Sequence, residues 1–355
     1  MRLILIVILA LFIVNGYSQI PSGYYNSAQG LAGTPLRAAL HNIIDNHTQV
    51  SYSSLYDYFE QTDKKSNGKV WDMYSDIPGS TPPYEYSFSS SDQCGNYDGE
   101  GDCFNREHSW PNSWFGGEVS PMYSDLFHVY PTDGYVNNQR SNLPFGEVGS
   151  TSWTSQNGSK VGSSNYPGWT GVTVFEPIDG YKGDFARTYF YMTTRYYTED
   201  ASWPSNQNSM VNKCEIKPVP MQMLLSWHHS DPVSQKEINR NNAVYGIQHN
   251  RNPFIDHPEY ADLIWDPDYS ATSATEISLT TVFPNPATER LYIVPPQSYP
   301  NLQLCIYNTT GELVFENQFT NETIIQLDVS GYKQGCYIIR LDNNNEINYF
   351  KVILF

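Results

Sequence analysis

Asn105-Arg106-Glu107-His108-Ser109-Trp110-Pro111, followed by Asp125-Leu126-Phe127-His128-Val129-Tyr130-Pro131 and Thr132-Asp133-Gly134-Tyr135-Val136-Asn137-Asn138-Gln139-Arg140, is the stretch on which the fold turns. Arg106 to Trp110 reads as a short strand stopped by Pro111. Asp125 to Tyr130 reads as a second strand stopped by Pro131, because proline has no N–H to give to a ladder. Thr132 or Asp133 then caps a short helix. The order is strand, connection, strand, helix. Within that helix Asn137 and Arg140 stand three apart and share a face.

An imidazole, a carboxylate and an amide carried by so short a unit suit phosphodiester hydrolysis. A base must take a proton from water near neutral pH, and imidazole does so without a large pKa shift. A hard divalent cation offsets charge on the phosphate; it prefers oxygen ligands and keeps several waters, so one carboxylate and one amide oxygen suffice. His108 is the expected base, and Glu107 and Asn137 the expected ligands of one Mg2+, with Ca2+ or Mn2+ as alternatives. Arg106 or Arg140 can hold the phosphate by forked hydrogen bonds.

Upstream, Thr34-Pro35-Leu36 to Ile44 spaces its apolar residues for a helix with Thr34 as N-cap, and Ser54 to Phe59 suggests a second. From Trp71 to Asp102 the chain is rich in Ser, Pro, Gly and Tyr, which favours loops with short strands. Downstream, helices are expected over 184–197, 220–227 and 234–248. In the last of these, Lys236, Arg240 and Asn241-Asn242 are expected to face solvent or substrate. His128 between Phe127 and Val129 suits core packing or support of the site, His257 a structural turn, and His228-His229 the surface.

The block resembles the bacterial endonuclease I family of ββα-metal (His-Me finger) nucleases. The matching residues are Arg106-Glu107-His108, Asp125-Leu126 through Pro131, and Val136-Asn137 with Arg140-Ser141-Asn142. Further matches are Phe175-Glu176-Pro177, Lys182-Gly183-Asp184-Phe185-Ala186-Arg187, and Asn250 through Pro258. The resemblance runs from Asn26 to Trp265. It implies His108 as general base, Glu107 and Asn137 on one magnesium or calcium, a DNA and RNA substrate cut with little sequence preference, and 5′-phosphate and 3′-hydroxyl ends. One departure stands out. Periplasmic members carry a longer insert between the two strands, with an arginine on the scissile phosphate, whereas Ser109 to Ser124 is short and holds no arginine. Arg140 and Arg187 are then the expected transition-state cations. Lys182 joins Arg106 as a phosphate contact, although Arg187 and Lys182 can equally be pairing with Asp184 and Glu176. Phe127 stands where some relatives have histidine.

Past Trp265 the pattern changes. Residues 266–277 look like a linker, and after them come short apolar runs at 291–294, 302–307, 324–327 and 336–341, the pattern of a small β-sandwich. Phe283-Pro284-Asn285-Pro286-Ala287, Ile306-Tyr307-Asn308 with Gly311, Gly335 to Leu341 and the ending Lys351-Val352-Ile353-Leu354-Phe355 resemble the C-terminal sorting domain of type IX secretion. That likeness implies the export machinery as a partner and removal of the module from the mature enzyme. The fold class expected is α+β: a mostly helical domain over 19–265 built around the ββα unit, then an all-β sandwich over 278–355.

Met1-Arg2, the apolar run from Leu3 to Val14 and a small-residue exit read as a signal peptide over 1–18. That run is short for a bilayer span and none follows; the expected destination is extracellular, by way of the periplasm. Five cysteines fit an exported chain with disulfides. Cys94 and Cys103 close a Gly-rich loop and read as a disulfide, with a metal-binding pair as the alternative. Cys305 and Cys336 fall in the C-terminal module, and Cys214 is left over. The formal net charge of −17 runs against a phosphate-gripping surface. Either a local basic stripe or a bound cation has to supply positive charge, at the cost of weak non-specific affinity and strong salt sensitivity. Two other functions fit the composition: a metal-assisted esterase for small phosphoesters, and a non-catalytic surface protein that binds nucleic acid or matrix. The sequence is silent on oligomeric state.

Overall fold

Leu36, Leu40 and Ile44 recur on one side of the chain and are fully buried, and around them Gly33–Ile44 forms α1. Its cap is Ala32, without a side-chain hydrogen bond, and not Thr34, which lies inside the first turn beside Pro35. α2 follows at Leu55–Thr62. This computed structural model describes residues 20–205, 208–266, 280–295, 298–343 and 347–355. The signal-peptide reading over 1–18 and the linker reading beyond Asp266 lie outside them. The chain divides into one unit up to Ala271 and another from Thr272.

In the first unit the ββα order is present with shifted ends. β1 is Phe104–His108, β2 is Val129–Asp133, and α3 is Gly134–Arg140. The two strands run antiparallel with Arg106 opposite Pro131 and His108 opposite Val129. Pro131 therefore sits inside its strand and does not stop it. A two-stranded ribbon leaves each strand an open edge, the setting in which proline is tolerated. Asp125 to His128 form the turn that enters β2. Asp133 is the cap of α3, its carboxylate accepting the N–H of Val136 at 2.7 Å.

The Cys94–Cys103 disulfide is formed. It lies against the start of α3: a Cβ on Gly134 would come within 2.4 Å of Cys94 Sγ, and Gly134 N donates to the Cys103 carbonyl at 2.9 Å. Closing a loop of this length is worth about 2–3 kcal/mol by the chain-entropy argument. Serine at both positions should lower unfolding stability by that amount in urea, and an unchanged midpoint would show that the bridge constrains little. Cys214, Cys305 and Cys336 are free thiols.

A small sheet of β3 (Val148–Thr154), β4 (Lys160–Ser164) and β5 (Thr173–Glu176) precedes α4 (Lys182–Arg195). Every residue of α4 is buried, polar ones included. A buried charge needs a partner, and each has one: Lys182 with Glu176 at 2.8 Å, Asp184 with Lys236 at 2.5 Å, Arg187 with Glu237 at 2.5 Å and Arg195 with Asp45 at 3.0 Å. After a two-residue hairpin of β6 (Val211–Asn212) and β7 (Glu215–Ile216) come α5 (Pro218–Ser230), α6 (Gln235–Gln248), α7 (Pro253–Asp256) and α8 (Glu259–Trp265). Ser234 and Glu237 form a capping box at the start of α6. The expectation that Lys236, Arg240 and Asn241 face outward is corrected: all three are buried, because α6 lays its charged side against α4 and β2. His228 is also buried and not on the surface, with its Nδ1 on Arg187.

The second unit is all β. One sheet runs in the order β11 (Leu313–Phe319), β10 (Leu302–Asn308), β13 (Gly335–Asp342), β14 (Ile347–Leu354). The other runs β12 (Ile325–Asp328), β9 (Arg290–Val294), β8 (Thr281–Phe283). Alternate residues of both, such as Leu291, Ile293, Leu304, Ile306, Ile339 and Leu341, enclose one core. The α+β class holds. β11 was not anticipated, because Leu313 to Phe319 is mostly exposed and lacks the alternation that marks a half-buried strand. Among the described residues no helix is long and apolar enough to cross a membrane.

Candidate active site

β1 and α3 meet at a cleft of about 310 Å³ lined by Arg106, Glu107, His108 and Asn137, with Pro111 to Ser113 and Ser141-Asn142 at its margin. The pairing of β1 with β2, and the direct passage of β2 into α3 at Asp133, carry these side chains together. Strand alternation puts Arg106 and His108 on one side of β1 and Glu107 on the other.

Glu107 is buried, and its Oε1 accepts from Tyr74 Oη at 2.9 Å and from Arg140 Nη1 at 2.9 Å. Both bonds fall on one oxygen, so the other remains available as a ligand atom. Burial pushes the carboxyl above the usual carboxylate range, opposed by the Arg140 guanidinium and the Tyr74 hydroxyl. Asn137, half-buried on α3, brings an amide to the same cleft.

His108 is buried with its ring stacked on Tyr123 at 5.1 Å and on Tyr52 at 5.8 Å. Its Nε2 lies 2.9 Å from the carbonyl oxygen of Tyr123. A carbonyl only accepts, so Nε2 carries the proton and Nδ1 the lone pair. Burial first, then the neighbouring His128 ring, hold His108 down to about 3, and the imidazole is neutral at neutral pH. An anion bound in the cleft would raise it again, because an opposite charge favours the protonated ring.

The other expected site residues divide. Arg140 lies beneath the cleft, fully buried, holding Glu107 and donating to the carbonyls of His108 at 2.8 Å and Ser109 at 2.5 Å. It braces the β1 end and does not open into the cleft. Arg187 and Lys182 are not brought to the cleft. They belong to the ion pairs of α4, where Arg187 meets Glu237 through Nε and Nη2 and Lys182 meets Glu147, Glu176 and Asp179. Buried His128 donates through Nε2 to the Met122 carbonyl, 2.6 Å away, and its ring lies 5.5 Å from that of His108.

Tyr74, Tyr123 and Tyr52 were not singled out in the sequence, although one fixes Glu107 and the other two fix His108. Twenty-eight tyrosines hid them. The signal for Tyr74 lies only in the tertiary fold, since it comes from the loop-rich stretch before β1.

The fit to a divalent cation is a matter of donor chemistry. One carboxylate oxygen and one amide oxygen in an open polar cleft suit a hard ion that keeps most of its water. Among the described residues no cluster of three His, Cys, Asp or Glu side chains forms a closed cage. Arg140 on Glu107 also lowers the negative charge offered, so this site suits weak binding.

The family model for Endonuclease I matches residues 32–259, and that for a secretion system C-terminal sorting domain matches residues 281–354. An extracellular ribonuclease of Bacillus amyloliquefaciens is 37% identical over 248 residues, 68% of this chain and 78% of its own. An extracellular ribonuclease of Bacillus subtilis (strain 168) is 36% identical over 248 residues, with the same shares. An endonuclease-1 of Buchnera aphidicola subsp. Acyrthosiphon pisum is 27% identical over 132 residues, 37% of this chain and 44% of its own.

Proposed function

Since the chain belongs to the endonuclease I family, we propose that it is a metal-dependent endonuclease, cutting DNA and RNA phosphodiesters with little sequence preference and with His108 as its base. It is a secreted nuclease with a C-terminal sorting domain, and the export machinery is the partner that domain implies. One observation carries the proposed chemistry. His108 is locked as the Nε2–H tautomer by the Tyr123 carbonyl, beside a Glu107 that keeps one oxygen unengaged.

In this reading Nδ1 of His108 takes a proton from water as its oxygen bonds to phosphorus. The bond from phosphorus to the 3′ oxygen breaks, and solvent protonates the departing alkoxide to give the 3′-hydroxyl. Glu107 and Asn137 would hold the cation, Mg2+ or else Ca2+ or Mn2+, whose charge offsets that on the phosphate. Tyr74 and Arg140 hold Glu107 in one position throughout.

The test is cleavage of plasmid DNA and of a structured RNA by the purified protein, across Mg2+, Ca2+ and Mn2+, with and without chelator. Cleavage should vanish with excess EDTA and return with millimolar Mg2+. Full activity in EDTA removes the cation from the mechanism; no cleavage of either polymer, with turnover of small phosphoesters instead, removes the endonuclease.

A further inference from the structure

We propose that Arg106 supplies the guanidinium that grips the scissile phosphate and stabilises its transition state, and that Tyr52 and Tyr56 hold it ready for that task. The proposal rests on the nuclease reading above. It begins from where this acidic protein spends its arginines. In the first unit Arg37, Arg140, Arg187, Arg195, Arg240 and Arg251 each form an ion pair with a carboxylate, at 2.5–3.0 Å. Among the described residues Arg106 forms none. Among those residues it is also the only lysine or arginine that lines the cleft.

Its surroundings fix the side chain without neutralising it. The guanidinium carbon lies 3.9 Å from the ring centre of Tyr52 and 4.6 Å from that of Tyr56. Nη1 donates to the Tyr52 carbonyl at 3.2 Å, and Nε is buried with no hydrogen-bond partner. Aromatic faces stabilise a cation while leaving its charge uncancelled. A flexible side chain on an acidic protein would instead find a carboxylate. Held this way, the guanidinium reaches its target with little reorganisation, which is the property electrostatic stabilisation of a transition state requires.

The same tyrosines also set the base. Tyr52 stacks on Tyr123 at 4.1 Å, and the Tyr123 carbonyl is the group that fixes the His108 tautomer. Arg106 and His108 project from one side of β1, two residues apart. A phosphate met by Nδ1-activated water from His108 therefore lies beside a cation kept in register by the same stack. As negative charge builds on the non-bridging oxygens, forked N–H···O bonds from Arg106 strengthen.

Arg106→Met and Arg106→Lys test the proposal, each in the full chain, with melting temperature, kcat and KM on a linear duplex. Affinity for a fluorescent oligonucleotide against salt is measured in a His108→Ala background. Arg106→Met should lower kcat about 10²–10³-fold with a much smaller change in KM. It should also reduce the slope of log affinity against log salt by about 0.9, one phosphate contact. Arg106→Lys keeps a point charge but not the fork, so it should retain the slope and still lose about tenfold in kcat. Wild-type kcat in Arg106→Met overturns the proposal. If that variant does not fold, wild-type kcat in a folded Arg106→Lys overturns it equally. Wild-type protein that cuts no nucleic acid sinks the nuclease reading instead, whereas loss of activity on His108→Ala alone leaves that reading standing and removes only Arg106.

Discussion

Alanine at His108 should reduce the rate of DNA cleavage by about 10²–10⁴-fold, the range for loss of a positioned general base. The fold should survive it. His108 makes one side-chain hydrogen bond, to the backbone carbonyl of half-buried Tyr123, and its ring stacks on that same tyrosine and on Tyr52. Removing it leaves no charge stranded, and the space opens toward the cleft. Circular dichroism and melting temperature should therefore stay near wild type, with the loss concentrated in kcat. Asparagine is the sharper substitution, because its side chain can occupy part of the same space without a nitrogen lone pair. Cleavage within a few-fold of wild type in either variant would falsify the assignment of the base.

Methionine at Arg140 is predicted to act through a different route and to hurt stability more. Arg140 touches Glu107, the carbonyls of His108 and Ser109, and the hydroxyl of Tyr189, all in a buried setting. Taking one member from a buried ion pair strands the other, at a cost of about 3–5 kcal/mol. Glu107, already pushed up by burial, loses the guanidinium that opposes that push. Its carboxyl should then be pushed further up, and a carboxyl that takes a proton more readily is a poorer ligand for a cation. Cleavage should fall with stability, although Arg140 does not reach the substrate. The double variant Arg140→Met with Glu107→Gln separates the two effects. It removes both charges, so it should recover much of the stability and none of the activity. Recovery of activity in the double variant would show that Glu107 is dispensable as a ligand.

The ββα unit was legible because its punctuation is local: Asp133 as a cap, short strands, and an acid, an imidazole and an amide at fixed places along them. Its edges were misread where a local rule met a tertiary exception, as with Pro131, which is harmless in a strand with an open edge. The charged residues of α4 and α6 were the larger failure. Arg187, Lys182, Lys236 and Arg240 look like surface or substrate-facing cations, since single-chain patterns treat charge as a mark of exposure. Their carboxylate partners come from elsewhere in the chain: Glu237 lies 50 residues from Arg187, and Asp63 lies 177 from Arg240. No spacing announces such a pair. The same long-range pairing is what makes Arg106 conspicuous, and it is invisible until the other arginines are accounted for. Tyr74 and Tyr123 were hidden for a related reason, because one acts through a hydroxyl brought from a distant loop and the other through its backbone.

Each of those interior ion pairs takes up charge of both signs, so the excess of acid remains, a formal net charge of −17 over the whole chain. A polyanion touching such a particle is drawn to one small spot and pushed away everywhere else. Each cut fragment should thus drift off before a neighbouring bond is attacked. Digestion of long DNA would proceed by scattered single hits across the whole population, shortening every molecule together, and never by stripping one duplex to its end before starting another.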